Sequence, residues 1–82
     1  MTIDTEIKEY IAKNLIFSDN GFPFAEDASF LEEGIVDSVG VMELVAFVEE
    51  KFGLKVDDAD VTPDNFDSVM KLAAFIRKKS GE

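Results

Sequence analysis

The sequence predicts an all-α fold: a small up-and-down bundle of three main helices plus one short helix, with a long first loop. Apolar residues recur at three- and four-residue spacing in three stretches. Each stretch is preceded by a residue that can cap a helix. No segment alternates as a strand would, and no internal repeat or heptad seam is present.

Thr2 can cap the first helix, with Asp4 and Glu6 in its first turn, where the helix dipole favours anions. Ile3, Ile7, Tyr10, Ile11 and Leu15 form its apolar face, while Glu6, Lys8, Glu9 and Lys13 lie toward solvent. The stretch from Asn14 to about Phe17 ends it. From Ser18 to Val36 no period holds; Asn20-Gly21 is a turn signal and Pro23 a breaker. A loop this long in a small domain is either functional or tied down. Phe17, Phe22, Phe24, Phe30, Leu31 and Ile35 predict that it is pinned over the helices, since aromatics dominate small cores. The alternative is that some of them line a groove.

The central helix opens on Ser38 and runs to Phe52, with Asp37 as its N-cap. At 100° per residue, Val41, Leu44, Val45, Val48 and Phe52 fall on one face, which must be buried. Val39, Met42, Glu43, Ala46 and Glu50 fall on the opposite face, with Glu49 between the two; Phe47 belongs clearly to neither. Gly53 fits the left-handed position that ends many helices.

The acidic run Val56-Asp57-Asp58-Ala59-Asp60 invites a calcium reading, which fails. A calcium loop begun at Asp58 would put Pro63 where glycine is needed and Val69 where the bidentate glutamate belongs. The run reads as a solvated acidic turn, and no metal site is expected. Thr62-Pro63-Asp64 starts a single short helical turn ending near Phe66. Asp67 or Ser68 caps the last helix, whose inward face is Val69, Leu72, Ala73 and Ile76. Arg77-Lys78-Lys79 closes it where cations complement the dipole.

Composition narrows the function. Residues 1–82 make one domain, small enough to bury only about 60% of its unfolded surface. The absence of cysteine and histidine removes disulfides, thiolate metal sites and Ser-His or Cys-His catalysis. The net charge of −10 argues against nucleic acid and for basic partners met through long-range attraction. No apolar stretch approaches the roughly 20 residues of a membrane span, and no leader is evident. A cytoplasmic monomer is expected.

With Asp37 serving as cap, the Ser38 hydroxyl is left unused at the start of the helix, pointing outward. Asp37-Ser38-Val39, followed by Glu43-Leu44 and set between Phe30-Leu31-Glu32-Glu33-Gly34 and Phe52-Gly53, resembles the attachment site of the acyl carrier protein family. The resemblance spans nearly the whole chain. It implies a 4′-phosphopantetheine arm on Ser38, drawn from coenzyme A by a phosphopantetheinyl transferase, with Asp37 as the acid beside it. The arm would hold acyl or aminoacyl groups as thioesters, and the chain would be a carrier rather than an enzyme. Val39, Met42 and Ala46, rimmed by Glu43, Glu49 and Glu50, would dock on loading ligases, synthases and transferases with basic surfaces.

Two positions depart from the fatty-acid carriers. Gly34 stands three residues before Asp37 instead of two, and Gly40 replaces a common acid. Both features are closer to free-standing aminoacyl and D-alanyl carriers. The competing reading is an unmodified acidic helical interaction module in which Ser38 is structural.

Overall fold

Each long helix begins where a short polar side chain takes over a backbone N–H that the helix cannot satisfy. In the computed structural model, which describes residues 2–81, Thr2 accepts from the Thr5 N–H and opens α1, Ile3–Asn14. Asp37 accepts from the Gly40 N–H at 2.8 Å and opens α2, Ser38–Phe52. Ser68 accepts from the Lys71 N–H and opens α4, Val69–Lys79. Between the last two lies the short α3, Pro63–Phe66. Thr62 holds its cap position, but the Thr62 side chain makes no capping bond. Residues 1 and 82 lie outside the described part. Among the described residues every regular element is helical, as expected.

The ends of the helices give their directions. Asp4 at the start of α1 pairs with Arg77 at the end of α4, and Glu6 pairs with Lys51 at the end of α2. The end of α1 lies beside the start of α2. So α1 runs antiparallel to both α2 and α4. Ile7 and Ile11 of α1, Leu44 and Val48 of α2, and Val69, Leu72 and Ile76 of α4 are fully buried together. Val41, Val45 and Phe52 close the edge of that core, half-buried. Phe75, absent from the expected inward face of α4, is also buried and packs on Phe66 of α3 at 5.3 Å between rings. Phe47 stacks on Tyr10 at 4.2 Å and meets Phe52 edge-on, joining α1 to α2 on the outer side of the core.

The long first loop is tied down, though not by all the expected residues. Phe30 is fully buried, Ile35 is buried, and Phe22 and Phe24 are half-buried against the core. Phe17 and Leu31 are not pinned: they are 78% and 53% exposed. Asp67, one of two candidate caps for α4, serves this loop instead. Its carboxylate accepts from the Ser29 hydroxyl at 2.5 Å and the Leu31 N–H at 3.1 Å, and its carbonyl accepts from the Phe30 N–H at 2.8 Å. Those three bonds clamp the loop to the α3–α4 junction and drive Phe30 inward, which turns its neighbour Leu31 out.

The acidic run folds as a 3-10 turn over Asp58–Asp60. Lys79 reaches Asp60 at 3.1 Å, and its hydrogen bond is the main cause holding the Asp60 carboxyl below its usual range. Burial works to raise Asp4, but the Arg77 hydrogen bond and charge outweigh it, and Asp4 is also lowered. A carboxyl lowered in the folded state stabilises the fold above its unfolded pKa of about 3.9, and that contribution is lost as pH falls through the folded value. Asp4→Asn should therefore melt below the wild type at pH 7, by one to several degrees for a partly exposed pair worth about 0.2–1 kcal/mol. The gap should begin to narrow below about pH 4 and close as pH falls through the folded value. Thermal unfolding of both proteins at pH 7 and pH 3 checks it; a gap equal at both pH values would deny the pair this role.

Candidate functional site at the start of the central helix

The site is assembled by three residues with three separate jobs. Asp37 caps, Ser38 stands free, and Gly40 gives way. Capping by Asp37 engages the Gly40 N–H with its carboxylate and the Val41 N–H with its carbonyl. The N–H groups of Ser38 and Val39 make no hydrogen bond to the chain among the described residues. Ser38 is exposed, and its hydroxyl likewise has no partner among the described residues. An exposed hydroxyl thus sits where free N–H groups and the helix dipole favour an anion.

Gly40 is buried, and the reason is steric. A Cβ there would stand 2.8 Å from Val36 Cγ1 and 3.4 Å from Asp37 Oδ1. The lack of a side chain lets Val36, which is buried, wedge beneath the first turn and fix the angle at which the loop enters the helix. Neither the burial of Val36 nor its contact with Gly40 was signalled by periodicity, because one partner lies in the loop.

The outward face of α2 carries the remaining candidates. Val39 and Met42 are 70% and 60% exposed, and Glu43, Ala46 and Glu50 are exposed beside them. Glu49 is placed apart from this group. Its carboxylate accepts from the Val56 N–H at 2.9 Å, turned to the second loop. Burial first, then the charges of Glu43 and Glu50, push the Tyr10 hydroxyl up. Beside the site runs a groove of about 420 Å³ between the end of α1 and the start of α2. A smaller apolar recess, about 130 Å³, lies between Leu31, Val41, Val61, Pro63 and Phe66.

The family profile described as phosphopantetheine attachment site matches residues 5–76, from the first helix to the last. The chain belongs to the acyl carrier protein family. Members carry phosphopantetheine at that attachment site. An acyl carrier protein of Solidesulfovibrio magneticus is similar to it over the full length of both chains at 33% identity. One from Thermotoga maritima shares 30% over 96% of this chain and 93% of its own. A D-alanyl carrier protein of Abiotrophia defectiva shares 30% over 65% of this chain and 67% of its own. In structure, this carrier resembles a chain of the entity described as "Crystal structure of FAD-dependent dehydrogenase", with a TM-score of 0.70 and 28% identity over 84% of this chain and 96% of that one. Among the described residues no helix of this carrier is long and apolar enough to cross a membrane.

The residues present fit the family's group. A phosphodiester needs one unengaged hydroxyl, open space around it and hydrogen-bond donors for its charge. Ser38 and the free first-turn N–H groups meet those needs together.

Proposed function

We propose that Ser38 is the residue that bears the 4′-phosphopantetheine arm, with residues 1–82 forming one carrier domain that takes acyl or aminoacyl groups between enzymes. The observation that carries this reading is the free, exposed hydroxyl at the first residue of α2, left unengaged because Asp37 does the capping. When bound, the arm supplies the terminal thiol that this cysteine-free chain lacks and on which cargo is held as a thioester.

In the attachment reaction the Ser38 Oγ bonds to the β-phosphorus of coenzyme A. The pyrophosphate P–O bond breaks, 3′,5′-ADP leaves, and the serine proton passes to a base of the transferase. Asp37 keeps the first turn rigid, so that Oγ is presented at a fixed place, and adds a carboxylate beside it during transfer. The Ser38 and Val39 N–H groups offer the new phosphodiester donors along the helix dipole.

Val39, Met42 and Ala46 form the apolar stripe that partner enzymes touch, and Glu43 and Glu50 its charged rim. Methionine suits a surface that meets several partners in turn. The rim speeds encounter with basic surfaces on the transferase, a loading ligase, synthases and acyl transferases more than it tightens the complexes. With Glu49 engaged by Val56, it supports the second loop more than the rim. We place the carrier in the cytoplasm as a monomer, in fatty acid, polyketide or aminoacyl chemistry. Gly40 and the spacing of Gly34, together with the D-alanyl relative, favour an aminoacyl or D-alanyl cargo.

Incubation with coenzyme A, magnesium and a phosphopantetheinyl transferase should add one phosphopantetheine per chain, read by intact mass and located on the peptide holding Ser38. No addition, or addition at Ser18, Ser29, Ser68 or Ser80, would leave Ser38 a structural residue and favour an unmodified interaction module.

A further inference from the structure

Phe17 occupies a position that its residue type does not suit. It has φ +52°, the one non-glycine residue with positive φ among the described residues. Left-handed backbone costs an L-residue roughly 1–2 kcal/mol, which is why glycine or asparagine commonly ends a helix this way. The conformation itself has a clear cause. Past Asn14 the chain unwinds with the Leu15 and Ile16 N–H groups both donating to the Ile11 carbonyl at 3.0 Å, and Ser18 donating to Ala12 at 2.7 Å. That closure needs a left-handed residue at 17, yet it does not need an aromatic one. The ring gains little from this chain, being more exposed than any other large apolar side chain described.

The ring stands on the rim of the 420 Å³ groove, with Leu15, Ile16 and Val39 as further apolar walls. Asp37 and Glu43 supply its charge. Neither is within ion-pair distance of a Lys or Arg among the described residues, and no Lys or Arg lines the groove. The lining therefore combines apolar side chains with two carboxylates that have no cationic partner among the described residues, and it is continuous with the outward face of α2 through Val39 and Glu43.

We propose that this groove is a second contact surface for the transferase that acts on Ser38. It takes an apolar side chain against Phe17, Ile16 and Val39, and an adjacent Lys or Arg between Asp37 and Glu43. The inference rests on Ser38 being the modified residue, since Asp37 and Val39 flank that serine and also line the groove. A cationic occupant follows from the two carboxylates. The phosphodiester of the arm would add a third negative charge there, and a second copy of a chain of net charge −10 would be repelled. Apolar anchors ringed by polar contacts are the usual pattern of residues that dominate an interface.

Phe17→Gly separates a docking role from a structural one, because glycine adopts the left-handed backbone freely and leaves no aromatic. If Phe17 served only the fold, this variant would melt at or above the wild-type temperature and be modified just as well. If the groove is a docking surface, the variant keeps or gains thermal stability while the transferase KM for the carrier rises about tenfold with kcat nearly unchanged. Phe17→Asn, which also tolerates positive φ, should behave the same way. Met70→Ala, an exposed apolar residue of α4 outside the groove, should leave KM as it is. An unchanged KM in both Phe17 variants overturns the proposal, as does an equal rise in Met70→Ala. Sedimentation showing a wild-type dimer that Phe17→Gly dissociates, with KM unchanged, would assign the groove to self-association. Failure of the wild type to be modified at all would instead overturn the carrier reading itself.

Discussion

Ser38→Ala should fold as the wild type does and take up no phosphopantetheine at all. The two halves of that result have different physical origins. Retention of the fold follows from where the hydroxyl is not: it bonds to nothing among the described residues, and the cap of α2 belongs to Asp37 at 2.8 Å from the Gly40 nitrogen. Alanine is also a better helix residue than serine. The change in stability should stay within about 0.5 kcal/mol, the usual span for surface substitutions. Loss of modification follows from chemistry, since a methyl group offers no oxygen to phosphorus. Asp37→Ala provides the contrast. Losing a cap of this kind costs about 0.5–2 kcal/mol, and labelling should slow without disappearing, because the nucleophile is still there. Thermal unfolding together with intact mass after transferase treatment reads both. Labelling that persists in Ser38→Ala would refute the assignment.

The largest loss of stability should come from Phe30→Ala. Truncating a buried phenylalanine costs about 3–5 kcal/mol, against a total of about 5–15 kcal/mol for a native domain. Phe30 is also the hub of its own loop: its carbonyl accepts from Ile35 at 2.8 Å and Val36 at 3.2 Å, and its N–H donates to the Asp67 carbonyl. At 4–8 °C per kcal/mol for a domain of this size, the melting temperature should drop by about 12–40 °C. The modification rate should fall as well, although Ser38 is untouched, because Val36 would no longer brace the first turn of α2. Calorimetry and the transferase assay, run below the lowered midpoint, check the two effects together. A loss under 1 kcal/mol would mean that the loop is held by its polar clamp rather than by this ring.

Those two outcomes mark where the sequence could be read and where it could not. Helix starts were legible because a cap and its target lie two or three residues apart, as at Thr2, Asp37 and Ser68. The outward placement of Ser38 followed from the same local logic. The fate of the loop aromatics was not legible, since Phe17 and Phe30 are the same residue in similarly irregular surroundings. What separates them is Asp67, 37 positions beyond Phe30, whose carbonyl and carboxylate pull one stretch of loop inward. Asp67 itself read as a cap because that role is common beside a helix, while its long-range bonds leave no trace in spacing. Phe75 was missed for a related reason. The last helix is enclosed by α1 on one side and α3 on another, so its apolar stripe is wider than a single packing face predicts.

The contact between Gly40 and Val36 also bears on how such a chain can change over generations. An acid at position 40, common in fatty-acid carriers, would bring its Cβ to 2.8 Å from Val36 Cγ1, so Val36 would have to shift to admit it. A smaller residue at 36 introduced alone would leave a hole beneath the turn that Gly40 cannot fill. Substitutions at 36 and 40 are therefore expected to be coupled, and the stabilities of the two single variants and the double variant would read that coupling. A change of residue 40 thus calls for a matching change at the buried position 36.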